Sequence, residues 1–267
     1  MSPARRNART LVSVLVPLAM LGLFILGWHL LVTLNQIPRY ILPGPLDVAG
    51  ALWSDWPILF PALLVTVQIT FAALGLAIVG ALVLAVLLVQ SRWIELALYP
   101  FAVILQVTPV VAVAPLLLIY TPSTQVALLL CAFLVAFFPI LANLVQGLKS
   151  VDHGLLDLFE LCGASRWQTL FALRLPAALP FFMAGLRTGG GLALIAAVVA
   201  EFAAGTAGAG SGLAFRLLEA QYRLNMPRLF AALVLLTLTG VVIFAMTSLI
   251  SHLALRRWHD SALARPR

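Results

Sequence analysis

Few side chains in this sequence are equipped for chemistry, and their spacing excludes most of it. The 267 residues hold nine carboxylates, sixteen basic residues, four histidines and two cysteines. His29, His153, His252 and His259 are scattered and give no metal-ligand spacing. Cys131, in an apolar run, and Cys162, in a polar connection, form neither a disulfide framework nor a zinc set. No Ser/His/Asp or Cys/His arrangement is readable. Lys149, the sole lysine, follows Leu148 rather than a glycine, so Gly147–Ser150 is not a truncated G-x-x-x-x-G-K-[ST] phosphate loop. The expectation is a chain that is not an enzyme and binds neither metal nor cofactor itself.

A second group of polar residues interrupts apolar sequence, where polarity is costly and tends to face protein or a water-filled path. Thr66, Gln68 and Thr70 form one set, and Gln106 and Thr108 a second. Asn143 and Gln146 follow, then Arg187 and Thr188 before Gly189–Gly191, and finally Glu201. Gln68, Gln106, Thr108, Asn143, Thr188 and Glu201 are the candidates for lining a solute pathway. Each also has a plainer reading. A threonine can bond its own helix backbone, Arg187 can extend to the interface, and Glu201 can pair near a glycine-rich loop. Pro109 removes a backbone donor and frees carbonyls, which marks its stretch as a gate element.

These groups must be positioned by membrane helices. Hydrophobic residues make up 63% of the chain and charged ones 9%, with a mean hydropathy of +1.10. Soluble domains carry about 25% charge, so this chain cannot cover a water-facing surface. Charge-free apolar stretches of about 20 residues suit a bilayer core. Six are readable: Thr10–Leu34, Ile58–Val89, Leu96–Tyr120, Thr124–Leu148, Phe181–Ala204 and Leu229–Leu255. The first is too long for the core of a cleaved signal peptide. The expected organisation is an all-α polytopic membrane protein with a tail at 1–9, a transmembrane domain at 10–255 and a tail at 256–267.

The net charge of +7 follows orientation signals rather than a nucleic-acid footprint. Arg5, Arg6 and Arg9 precede the first span, and Arg256, Arg257, Arg265 and Arg267 follow the last. By the positive-inside rule both termini are cytoplasmic. Arg92, Lys149, Arg166 and Arg174 then fall on the same side, whereas Arg39, Arg216, Arg223 and Arg228 fall outside. On the outer side, 46–56 can form a short interfacial helix bearing Trp53 and Trp56. Gly205, Gly208, Gly210 and Gly212 must turn the chain before a short helix around Leu213–Tyr222.

The inner connection 149–180 is neither linker-like nor low in complexity. Asp152 can cap a helix running to about Cys162, and Gly163 can end it. Ser165 can cap a second helix through Leu173, with Leu175–Pro176 and Pro180 stopping it before the fifth span. Such an elbow either covers the protein's own inner face or docks a partner.

The stretch DLFELCGASRWQTLFALRLP, from Asp157 to Pro176, resembles the EAA loop of binding-protein-dependent ABC permeases. Asp157 stands at the family's Glu, Gly163 at its Gly and Leu175–Pro176 at its Leu-Pro. Asp157 is one methylene shorter than the family residue, and Phe159 replaces a small one. Further residues are similar to the nitrate, sulfonate and taurine branch: Leu42–Pro45, Pro109, Pro115, Phe137–Ile140, Asn143, Gly147, Asp152, Gly185–Arg187 and Ala200–Glu201. The resemblance covers nearly the whole chain.

That resemblance implies a pore-forming subunit of an ATP-driven importer, in a bacterial inner membrane. It implies a partner second copy, two cytoplasmic ATPase subunits carrying ATP and Mg, and a periplasmic or lipid-anchored substrate-binding protein. Asp157, Phe159, Glu160, Gly163, Ala164, Ser165, Arg166 and Trp167 would meet the ATPase. The solute would be a small organic anion or a small heterocycle. An ion-coupled secondary transporter is the first alternative, but no acid falls clearly at a midplane and no repeated halves are evident. A channel or scaffold subunit is the second, and it leaves the elbow unexplained.

Overall fold

When helices are apolar all round, close packing rather than water decides which face turns inward. The structure, a computed structural model, describes residues 3–205 and 210–256, with side chains from residue 15 onward. Gly208 and the tail residues Arg257, Arg265 and Arg267 lie outside the described residues, as do the side chains of Arg5, Arg6 and Arg9. Among the described residues the chain is helical, with no strand.

In chain order the helices are α1 (Pro3–Leu34), α2 (Pro45–Ser54), α3 (Trp56–Gln90), α4 (Arg92–Val107), α5 (Val110–Tyr120) and α6 (Thr124–Lys149). They continue with α7 (His153–Leu161), α8 (Arg166–Thr169), α9 (Leu175–Ala204), α10 (Leu213–Tyr222) and α11 (Met226–Leu255). Among the described residues five helical stretches are long and apolar enough to cross a membrane, and the bent pair α4 with α5, taken as one span, brings the number to six.

Two compact units make up the chain. In the first, comprising 1–60 and 216–234, Pro43 is fully buried and Asp47 accepts from the Gly44 amide at 3.1 Å. Asp55 holds Arg228 through two bonds of 2.6 and 3.0 Å, and Trp28 faces Phe230 at 5.9 Å.

In the second unit, 61–215 and 235–267, α6 and α9 form the spine. Glycine makes their contact possible: a Cβ at Gly147 would stand 2.8 Å from Phe181 Cβ, and one at Gly189 2.8 Å from Ile140 Cγ1. Small residues at helical spacing let backbones approach where no water drives association. On α3 the buried stripe is Ala62, Thr66, Ala73, Ala77, Ala81 and Ala85, whereas Leu64, Leu76, Val79, Val83 and Leu87 face outward.

Two expectations need correction. The stretch Leu96–Tyr120 is not one continuous helix: α4 and α5 meet at 100° across Thr108 and Pro109. Proline lacks an amide and crowds the carbonyl four residues back, so the helix ends there and restarts in a new direction. Leu175–Pro176 and Pro180, by contrast, stop nothing. A π-helical turn, Leu170–Arg174, joins α8 to α9, and the Leu175 amide bonds back to the Leu170 carbonyl. The wider turn takes up the misfit ahead of Pro176 and lets the helix run on past a residue that has no amide to donate.

Candidate functional site

Three constructions in the second unit gather the chemistry-bearing residues: an elbow at α7–α8, a cleft at the broken span, and a buried clamp at Glu201.

The elbow is shaped by local chemistry. Asp152 Oδ1 accepts from the amides of Gly154 and Leu155, which starts α7. Gly163 adopts φ +70°, a left-handed conformation costly for other residues. Its amide bonds to Glu160 O and that of Ala164 to Phe159 O, closing the helix end. Ser165 Oγ accepts from the Gln168 amide while Gln168 Oε1 accepts from the Ser165 amide, a reciprocal capping box.

Of the sequence-proposed elbow residues, Asp157, Glu160, Gly163, Ser165, Arg166 and Trp167 are exposed, and Phe159 and Ala164 are half-buried. The apolar side chains Leu155, Leu158 and Leu161 recur every three residues along α7 and are all exposed, Leu161 to 86%. Trp167 stacks on Phe171 at 6.0 Å, and both face solvent. Beneath them a hollow of about 410 Å³ is lined by Val89, Leu156, Glu160, Arg166 and Arg174. Lys149, at the end of α6, pairs with Glu95 in the first turn of α4.

At the α4–α5 break, a cleft of about 370 Å³ opens toward α6 and α9. Gln106 and Thr108 line it, with Val113, Val135, Phe138 and Leu192 among its apolar walls. Thr108 donates its hydroxyl to Ile104 O at 2.8 Å. Asn143 lies one turn below Pro139, another lining residue, and donates to its carbonyl at 2.8 Å. Thr188 lies one turn below Leu192, exposed and bonded to Ala184 O. Four of the six pathway candidates thus fall at or within one turn of this cleft.

The remaining two stand apart. Gln68 is exposed on α3, on the side away from the buried Thr66 and Thr70. Glu201 is 3% exposed and presents nothing to a path. One carboxyl oxygen accepts from Thr66 Oγ1 at 2.8 Å, the other from the Ala214 amide at 2.9 Å. Thr66 Oγ1 in turn accepts from the Leu213 amide at 2.8 Å. The carboxyl group therefore fastens the start of α10 to α3, and a Cβ at Gly212 would fall on it.

Sequence reasoning singled out Glu201 and Thr66 separately but did not pair them. The available signal was Thr66 and Thr70 at helical spacing on an alanine-rich stripe. Ser251, which accepts from Arg187 Nη2 at 3.2 Å, was missed as well. Among the described residues no cluster of three or more His, Cys, Asp or Glu side chains is placed to hold a metal.

Comparison with known proteins matches residues 77–258 to the family described as binding-protein-dependent transport system inner membrane component. A riboflavin transport system permease protein of Chloroflexus aurantiacus is 36% identical over 90% of this chain and 89% of its own. A formylaminopyrimidine transport permease protein of Halalkalibacterium halodurans is 32% identical, covering 77% and 81% respectively. A Bacillus subtilis protein named for aliphatic sulfonate transport is 27% identical over 97% and 91%. Among solved structures, an amino acid ABC transporter crystallised with histidines aligns at TM-score 0.62 and 16% identity, covering 76% of this chain and 95% of that one. At that identity the likeness is one of fold.

Proposed function

Because the chain belongs to the binding-protein-dependent ABC transporter permease family, we propose that it forms the translocation path of an ATP-driven importer. It sits in the inner membrane as a multi-pass protein with both termini in the cytoplasm, and two copies pair to form the pore. A separate binding protein delivers a small solute from outside. Two cytoplasmic ATPase subunits, carrying ATP and Mg, dock on the α7–α8 elbows. Phosphate chemistry belongs to those subunits.

The observation that carries this reading is the elbow itself. It is internally rigid, through Asp152, Gly163 and the Ser165–Gln168 box, yet it leaves Leu155, Leu158, Leu161, Trp167 and Phe171 uncovered. A capped helical element with a bare apolar stripe fits a groove on another protein. Its displacement would be a lever on the spans, as in rigid-body switching.

Replacing Gly163 with valine tests it. A Cβ at this position would meet nothing within 4 Å beyond its chain neighbours, so the substitution acts chiefly through the backbone. A left-handed β-branched residue costs about 1–2 kcal/mol or more. Transport and stimulation of the co-purified ATPase should fall roughly 5- to 30-fold, since 1.4 kcal/mol is tenfold, with membrane insertion at the wild-type level. Undiminished ATPase stimulation would overturn the assignment.

The names of the relatives cover a flavin, a formylated aminopyrimidine and aliphatic sulfonates, so ring compounds and organic anions are both within range for the solute.

A further inference from the structure

The cleft at the broken span discriminates between these two chemistries. Among the described residues no charged side chain lines it. On α4 the charged residues are Arg92 and Glu95, and Glu95 is paired with Lys149. Gln106 is eleven residues from Glu95, roughly 16 Å along the helix. On α6, Lys149 is ten residues from Pro139, about 15 Å. On α9, Arg187 is five residues from Leu192, which turns it to another side of the helix, and its Nη2 is bonded to Ser251. Glu201 has both oxygens occupied, and α5 carries no charge.

The helix ends cancel as well. α4 terminates at Val107 and α5 begins at Val110, so the negative end of one backbone dipole meets the positive end of the next. Thr108 takes up the Ile104 and Leu105 carbonyls and Pro109 O the amides of Ala112 and Val113, which leaves the carbonyls of Gln106 and Val107 and the amides of Val110 and Val111 without helical partners. What remains is a site of mixed polarity: acceptors and donors side by side, with no net field. Gln106, whose amide offers both functions, has no hydrogen-bond partner among the described residues. The walls are apolar: Val113, Val135, Phe138 and Leu192. A sulfonate placed there would lie against apolar walls with no basic side chain to pair it, which is expensive.

We propose that the solute crossing at this cleft is an uncharged ring compound whose edge carries both N–H and C=O groups, with Gln106 and Thr108 reading that edge. The cleft's volume, about 370 Å³, lies at the small end of ligand sites. The inference rests on the importer reading, since it takes the cleft as part of the path.

Saturation-transfer NMR on the full chain in nanodiscs tests it, with thymine, riboflavin and ethanesulfonate as probes. The two ring compounds should receive saturation and ethanesulfonate none. Val135→Trp, which fills the cleft, should reduce the ring signals at least fivefold. Gln106→Leu, at an exposed position where folding is not at risk, should reduce them at least threefold. Saturation of ethanesulfonate that either substitution removes would overturn the proposal. So would an absence of any ring signal sensitive to both. The Gly163→Val ATPase measurement separates the two claims: if it behaves as expected while the ring signals are missing, the solute class falls and the importer stands.

Discussion

Removing the Glu201 carboxyl group should loosen the start of α10 by an amount the geometry sets. In Glu201→Ala the buried Ala214 amide loses the carboxylate acceptor it has here, at a cost of about 1–3 kcal/mol for an unsatisfied donor. The Thr66 hydroxyl must then fall back on Ala62 O, 3.4 Å away, exchanging a good bond for a poor one at about 1 kcal/mol. The sum, about 2–4 kcal/mol, corresponds to a roughly 30- to several-hundred-fold rise in local opening, at 1.4 kcal/mol per tenfold.

Glu201→Gln should behave differently. Its carbonyl can accept from Ala214 while its amide donates to Thr66 Oγ1, whose own proton then turns to Ala62 O, so the change should stay at about 1 kcal/mol. Hydrogen–deuterium exchange over 210–222, on protein in nanodiscs, reads this directly. Because a Cβ at Gly212 would strike the same carboxyl group, Gly212→Ala should resemble Glu201→Ala, and the double variant should be no worse than the singles. Equal protection in the alanine and glutamine variants would refute the clamp.

Other expectations follow from the same contacts. Gly147→Val should lower the yield of folded protein by size-exclusion chromatography, because overpacking against Phe181 and Ala178 costs about 1–3 kcal/mol. Asp55→Asn should lower the melting temperature by breaking the two-bonded, largely covered pair with Arg228, a loss of about 1.5–3 kcal/mol; restoration by Arg228→Gln would identify the unpaired guanidinium as the cause. Glu219 is held below its ordinary value by its hydrogen bond from Arg216 and by nearby Arg223 and Arg228. Its contribution is therefore fully present above the unfolded value of 4.5 and is lost as pH falls through the lower folded value. Melting temperatures of Glu219→Gln and wild type should differ at pH 7 and converge toward pH 3.

The elements that were legible in the sequence are those whose signal is local. Asp152, Gly163 and Ser165 announce the elbow because caps act within four residues of themselves. Apolar runs announce spans because lipid imposes a length. What could not be read depends on distant partners. Pro109 signals a break but not its 100° angle, which is set by how α5 packs on α6 and α9. Pro176 looked like a stop because the π turn that absorbs it leaves no mark in Leu170–Arg174. Glu201 was open to a pathway or a pairing role because the partner that decides it, Thr66, lies 135 residues away.

The continuity of α9 with the elbow has a mechanical consequence. From Arg166 to Ala204 the backbone is helical without interruption, 39 residues or roughly 58 Å. One end carries the exposed Trp167 and the other Glu201, which grips α10. Three consecutive glycines near the middle would ordinarily soften such a rod. Here Gly189 is pressed on Ile140 of α6, and a Cβ at Gly190 would meet Thr247 and Ile243 of α11, so neighbours brace the weak point. The remaining compliance is the π turn, immediately beside the elbow. Force applied there should therefore tilt α9 as a body and reach the clamp with little lost to bending. Inserting one alanine between Arg174 and Leu175, beyond the π turn, adds one residue of regular helix and should rotate the elbow by about 100° against the rod. The chain would still insert, yet ATPase stimulation should be lost. Stimulation that survives that insertion would show that the lever does not run through α9.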